Sequence, residues 1–167
     1  LKDEDIEKMV AAAKRLSHEG FTVMPHIPAR VIKNQAMLSD WLSMYQNEAG
    51  VDEALLLAGG SNEPKGDYDS SIQLIESGLF DKAGFKRLHI AGHPDGNKDI
   101  DPGGGIKNVS EALSWKQEFF KRTDAKMAIT TQFCFDANVV KKWADDIKEG
   151  GIDIPIHIGV AGPAKLQ

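Results

Sequence analysis

The sequence predicts an α/β fold in which strands and helices alternate around a parallel sheet. Three observations carry that expectation. Five short β-prone runs alternate with stretches whose apolar residues recur at helical spacing. The runs lie roughly 30 to 40 residues apart, which is room for a crossover helix and too much for a hairpin. One run, "EALLLAGG", is uninterruptedly apolar, the pattern of a strand covered on both faces. Two architectures satisfy these facts, an open doubly wound sheet and part of a (β/α)8 barrel. Each places its chemistry at the C-terminal ends of the strands.

Taken in order, Asp3 to His18 reads as a helix with Ile6, Met9, Val10, Ala13 and Leu16 on one face, acidic residues in its first turn and Gly20 after it. "FTVMPHIP" is a brief β-prone run closing in Pro25 and Pro28. Asn34 to Glu48 is a second amphipathic helix (Met37, Leu38, Trp41, Leu42, Tyr45) ended by Gly50, and "EALLLAGG" is the second strand. Asp69 to Ser77 supplies a helix carrying Ile72, Leu74 and Ile75, and "RLHIAG" a third strand. Asn108 with Glu111 three residues on resembles a capping box for a helix through Arg122. "KMAITTQFCF" is the fourth strand. Asp136 caps a helix with Val139, Val140, Trp143 and Ile147, closed by Gly150 and Gly151, and "IPIHIGVAG" is the fifth strand.

The 167 residues suffice for one domain with a real core. Hydrophobic residues make up 41% and charged residues 27%, with 20 Lys+Arg against 25 Asp+Glu for a net charge of -5. Lacking a basic block, the chain is a poor match to nucleic acid or acidic membranes. Cys134 is the only cysteine, which excludes a disulfide framework and suits a reducing cytoplasm. No apolar run approaches the ~20 residues of a membrane span. The chain opens on Leu1, directly before a helix, as though something upstream were missing.

The expected strand ends collect His26 and Arg30; Gly59, Gly60, Ser61 and Asn62; His93, Asp95 and Asn97; Gln132 and Asp136; and Gly159, Ala161 and Gly162. Glycines there let a flat ligand lie against the backbone. Neutral donors and acceptors suit an amide-rich heterocycle better than a metal, and the five histidines show no HxxxH or HExxH spacing. Plainer readings stand beside these. His26 between two prolines reads as a satisfied polar residue, Gly59-Gly60 as a tight turn, Gly103 to Gly105 as loop flexibility and Cys134 as a small core residue. Trp41, Trp115 and Trp143 fall on helices and read as packing. His93 with Asn97 leans towards function. Thr130, Thr131 and Gln132 put three polar side chains in succession where a core strand prefers apolar ones, so each needs a protein, water or ligand partner.

"MPHIPAR", "LLLAGGSNEPKGDY", "IAGHPDGN", "ALSWKQ" and "ITTQFCFD", in that order and spacing, resemble the methylenetetrahydrofolate reductases, and most of all a bacterial reductase-like branch with a His-x-x-Ala-Arg element. The likeness runs from Phe21 to the closing "PIHIGVAGPAKLQ". It implies a (β/α)8 TIM barrel, of which this chain supplies strands three to seven, with FAD at the C-terminal mouth. It also implies reduction of 5,10-methylenetetrahydrofolate to 5-methyltetrahydrofolate, with NADH or NADPH as hydride donor, and a homo-oligomer. The flavin carries the redox chemistry and the protein positions it. By resemblance the cofactor contacts are His26, Gly59, Gly60, Ser61, Tyr68, His93 and Asn97, with Glu111, Ser114 and Gln117 on the polar face of the following helix near phosphates and ribose. Gln132 matches the glutamine that meets folate and nicotinamide, and Ser61 also lies near the pterin.

Departures accompany the likeness. Ser61 stands where the family has an aspartate, Ser114 and Gln117 are neutral where it has basic residues, and only Lys116 lies nearby. The family's catalytic glutamate belongs to a first strand that is not among these residues, so the catalytic acid is unassigned. Five strands cannot close an eight-stranded barrel. The sequence is thus expected to be either a fragment of a longer reductase or a truncated relative. Two other readings stay open: a folate- or flavin-binding module without redox chemistry, and a pterin-dependent methyl-transfer barrel.

Overall fold

The computed structural model describes residues 5–160. The elements are α1 (Ile6–His18), β1 (His26–Pro28), a 3-10 turn (Ala29–Val31), α2 (Gln35–Ala49), β2 (Glu53–Leu57), α3 (Ser71–Glu76), α4 (Leu79–Lys82), β3 (Arg87–Gly92), α5 (Lys107–Phe120), β4 (Lys126–Phe133), α6 (Ala137–Glu149) and β5 (Ile156–Gly159). The strands form one parallel sheet in the order β1-β2-β3-β4-β5. This order follows the chain and lacks the reversal that marks a doubly wound sheet. His26 lies opposite Leu55, and Ile129 opposite Ile156, with an irregularity in the β4–β5 register between Thr130 and Phe133. No helix among the described residues is long and apolar enough to cross a membrane. Asp3, Ala161 and Gly162, used in the sequence reading, lie outside the described residues.

The chain divides into two compact units, one running to His89 and including Asp124–Lys126, the other comprising Ile90–Thr123 and the residues from Met127 onward. In the first, α1 packs its Ile6, Val10 and Ala13 stripe against α2, which buries Leu38, Trp41, Leu42, Tyr45 and Ala49. Helix α2 begins where Asn34 Oδ1 accepts the Met37 N–H at 2.9 Å. It ends at Gly50, whose φ of 65° lets its N–H and that of Val51 reach back to Gln46 and Tyr45 carbonyls. The core of β2, Ala54, Leu55 and Leu56, is buried on both faces, as its unbroken apolar run predicts. β1 is shorter than "FTVMPHIP" suggests, and Phe21 is 62% exposed. Pro25 and Pro28 have no N–H to donate, so they enter the ladder only as acceptors or paired positions, the Pro25 carbonyl taking the Leu55 N–H at 2.9 Å and Pro28 lying opposite Leu57.

In the second unit, Val109, Leu113 and Phe119 of α5, Val140 and Trp143 of α6, and Met127, Ala128 and Ile129 of β4 are buried. At Gly92, the last residue of β3, nothing larger fits: a Cβ there would lie 2.5 Å from Ile129 Cγ2 and 3.0 Å from the Trp143 ring. Asp136 caps α6 through the Asn138 N–H at 2.8 Å, as expected.

Three local expectations are overturned. Asn108 does not cap α5; the helix starts at Lys107, and the Asp101 carboxylate receives the N–H groups of Asn108 and Val109 at 3.0 and 3.1 Å. A carboxylate seven residues upstream displaces the local cap because it satisfies two orphan donors at once. Cys134 is not a core residue. It lies half-buried just past β4, its thiol directed to Asp95 Oδ2 at 3.4 Å, and burial followed by that carboxylate pushes its pKa up. Gln117 does not share an open polar face with Glu111 and Ser114. Those two are exposed, whereas Gln117 is 3% exposed and its Oε1 accepts the Asp153 N–H at 2.9 Å.

Candidate functional site

Each unit gathers polar residues at the ends of its own strands. In the first, the 3-10 turn after β1 and the loop after β2 are sewn together by Arg30. Its Nε donates to Asp69 Oδ1 at 2.7 Å and to the Asp69 carbonyl at 3.2 Å, and its Nη1 donates to the Ser61 carbonyl at 3.0 Å. The Arg30 backbone adds its N–H to the Ala58 carbonyl and receives the Lys65 N–H. A planar guanidinium suits this task because its donors leave in fixed, divergent directions. Gly59, with a φ of +99°, threads past Pro28, where a Cβ would meet Pro28 Cβ at 3.0 Å. The turn reading of Gly59 is therefore sufficient by itself. Ser61 is half-buried and Tyr68 buried, while His26 and Gly60 are exposed. Burial, then the charge of Asp67, raises the Tyr68 pKa.

In the second unit, the loop from His93 to Ile106 returns to α5 and is tied down twice, by the Asp101 carboxylate and by Asn108 Nδ2 donating to the Ile100 carbonyl at 2.9 Å. Asn97 Nδ2 lies 3.4 Å from His93 Nδ1, and Asn97 Oδ1 accepts the Asp99 N–H. Beneath this loop is a cavity of about 30 Å³, walled mainly by Ile100, Val109, Leu113 and Trp143, with His93 and Lys116 as its polar members. Lys116 is 8% exposed and, among the described residues, makes no hydrogen bond or ion pair. Burial lowers its pKa to about 8. Burial, and then the positive charge of Lys116, lowers the pKa of His93.

The polar run on β4 resolves residue by residue. Thr131 is buried and its Oγ1 accepts the Gly159 N–H at 2.9 Å, Thr130 has a partner, and Gln132 is exposed. Beside Gln132, Phe133 and Phe135 are 55% and 87% exposed and stand edge to face at 5.6 Å. Trp41 and Trp143 are buried, and Trp115 stacks on Phe119 at 6.1 Å. Among the described residues, no group of three or more His, Cys, Asp or Glu could hold a metal ion.

An extended dinucleotide needs open hydrogen-bonding groups. His26 and Gly60 in the first unit, and Glu111, Ser114 and Gln132 in the second, are open. The Gln117 amide oxygen and the Ser61 carbonyl are already engaged within the protein. Sequence reasoning noted Lys116 only as a basic residue near Ser114 and Gln117, and passed over Asp101. The signal for Lys116 was present, since Val109, Ala112, Leu113 and Lys116 follow an i, i+3, i+4, i+7 stripe that places the lysine on the buried face. Compared with models of known protein families, the chain matches none.

Proposed function

We propose that the chain is the strand-three-to-seven portion of a (β/α)8 barrel that reduces 5,10-methylenetetrahydrofolate to 5-methyltetrahydrofolate, using FAD and either NADH or NADPH. One observation supports this most. Four of the five segments that resemble the reductases are carried by β1, β2, β3 and β4 and continue into the turn or loop that follows, and the fifth lies on α5. Parallel strands in chain order, with polar loops at their C-terminal ends, are the arrangement on which barrel enzymes build sites.

His26 and Gly60 would lie along the flavin, and Glu111 and Ser114 would meet its ribose and phosphates. The Gln132 amide would orient the folate ring. When bound, the flavin would supply the hydride transfer between nicotinamide and folate. The protein's share is to hold the two rings in reach and exclude water. The acid that protonates the leaving nitrogen of the folate is not assigned to any residue here.

A second reading, a folate- or flavin-binding relative without redox chemistry, is favoured by Ser61 in place of the family aspartate and by the inward-turned Gln117. A visible absorption spectrum of the full-length gene product, before and after FAD addition and desalting, separates the readings. A retained flavin band bleached by NADH or NADPH supports the reductase. A retained band that neither nucleotide bleaches supports the binding relative, and no flavin under any condition overturns the reductase in favour of a folate-binding relative or the methyl-transfer barrel. In an active reductase, Gln132→Ala lowers folate turnover while leaving flavin retention unchanged.

A further inference from the structure

We propose that the cavity between β3 and α5 is a binding site for a compact monoanion, a halide or the carboxylate of a one- or two-carbon acid, held by the Lys116 ammonium and the His93 imidazole. This goes beyond the reductase reading and does not depend on it.

The first argument is the unpartnered cation. Lys116 is 8% exposed, lines the cavity, and has no hydrogen-bond or ion-pair partner among the described residues. An ammonium on a side chain this deeply buried, without a counter-charge, loses much of its hydration, so a small anion that enters the cavity replaces part of it. The second is donor geometry. If the Asn97 amide nitrogen donates, His93 Nδ1 accepts and the ring proton belongs on Nε2, which makes the imidazole a second donor.

The third argument is the set of charged groups around the lysine. His93, on the loop after β3, is the only other titratable residue lining the cavity, and α6 contributes Trp143. The nearby Asp101 carboxylate is committed to the N–H groups of Asn108 and Val109. No carboxylate lines the cavity, so an entering anion meets no competitor. Size sets the class. About 30 Å³ is room for a water or two, enough for a halide or a carboxylate tip and too little for a diphosphate. A single cation among apolar walls also favours a single negative charge.

The test uses the full-length gene product with 13C-labelled lysine, freed of flavin and folate. The Lys116 Cε resonance is assigned by through-bond correlation and checked by its loss in Lys116→Met. Its titration midpoint is followed in chloride, formate, acetate and sulfate at matched ionic strength. Because only the ammonium binds, the midpoint should rise by about one pH unit for each tenfold excess of anion over its dissociation constant. The expected result is a rise with chloride or the two carboxylates and none with sulfate; whichever acts at lower concentration identifies halide or carboxylate as the source. An equal response to all four anions would mean general screening and overturn the site. A midpoint that no anion moves, or one at the ordinary lysine value, would overturn it as well.

Discussion

In the first unit a long polar loop is held by a cation, Arg30, whose named guanidinium contacts are all oxygens of that loop. In the second, a loop of similar character is held by an anion, Asp101, while Lys116 of the following helix is left in a cavity with no partner among the described residues. Both loops are ordered by charge-assisted hydrogen bonds to backbone, which are stronger than neutral ones and fix a loop without a large core. They differ in what remains afterwards. The loop after β2 leaves little unsatisfied, and the loop after β3 leaves a buried ammonium and a half-buried imidazole facing open space. Between these two loops the greater unmet polar need lies in the second, so a small ligand is best sought there first.

The largest effect expected from breaking this contrast is at Lys116. Its folded pKa of about 8 lies below the ordinary lysine value of 10.5. Between those values the unfolded chain holds a proton that the folded chain has lost, so this group makes stability rise with pH across that window. Below pH 8 its burial lowers stability by its full amount, about 3 kcal/mol. Lys116→Met should therefore raise the urea midpoint at pH 7, and the gain should shrink as pH climbs from 8 towards 10.5. A variant no more stable than the parent at pH 7 would show that the ammonium is already solvated.

Next comes Asp101→Ala, which strands the Asn108 and Val109 N–H groups at the start of α5. A loss of about 2 kcal/mol is expected, read by chemical denaturation, together with faster amide exchange at those two positions. Retained protection there would mean that another group can cap the helix.

The corresponding test in the first unit is smaller. Arg30→Gln keeps the aliphatic stem and one donor group but shortens the side chain and loses the fork, and Asp69 is mostly exposed. The expected cost is about 1 kcal/mol or less, with quicker proteolysis between Gly59 and Ser70. If Lys116 and Asp101 variants alter cavity titration while Arg30→Gln does not, the two loops act separately.

Smallest is Tyr45→Phe. The Tyr45 hydroxyl is buried without a hydrogen-bond partner among the described residues, and burial raises its pKa to about 12. Removing an unsatisfied group should leave stability unchanged or improve it by up to about 1 kcal/mol, measured by thermal melting. A marked loss would reveal a partner for the hydroxyl.

Much of the fold was legible in the sequence because its signals are local. The 3.6-residue stripe of α2, Asn34 before it and Gly50 after it specify a helix with both ends. The unbroken run of β2 announces a strand buried on both faces, and Asp136 announces the start of α6. The errors occurred where a distant group outbid a neighbour. Asn108 had the spacing of a cap, but Asp101 reached the same amides from the far side of a loop. Gln117 looked like part of a ligand-facing surface until Asp153 provided an inward partner. Cys134, in an apolar run, emerged at the strand end beside Asp95 because β4 stops at Phe133.

The sequence by itself determined the alternation of strands and helices, the parallel sense of the sheet and the placing of polar residues after each strand, since periodicity and crossover length are properties of adjacent residues. The tertiary structure alone decided that Arg30 stitches one loop shut, that Gly92 makes room for Ile129 and Trp143, and that Lys116 faces a cavity with no counter-charge. Those outcomes depend on which side chains arrive at the same place from distant parts of the chain, and charge and volume are balanced only there.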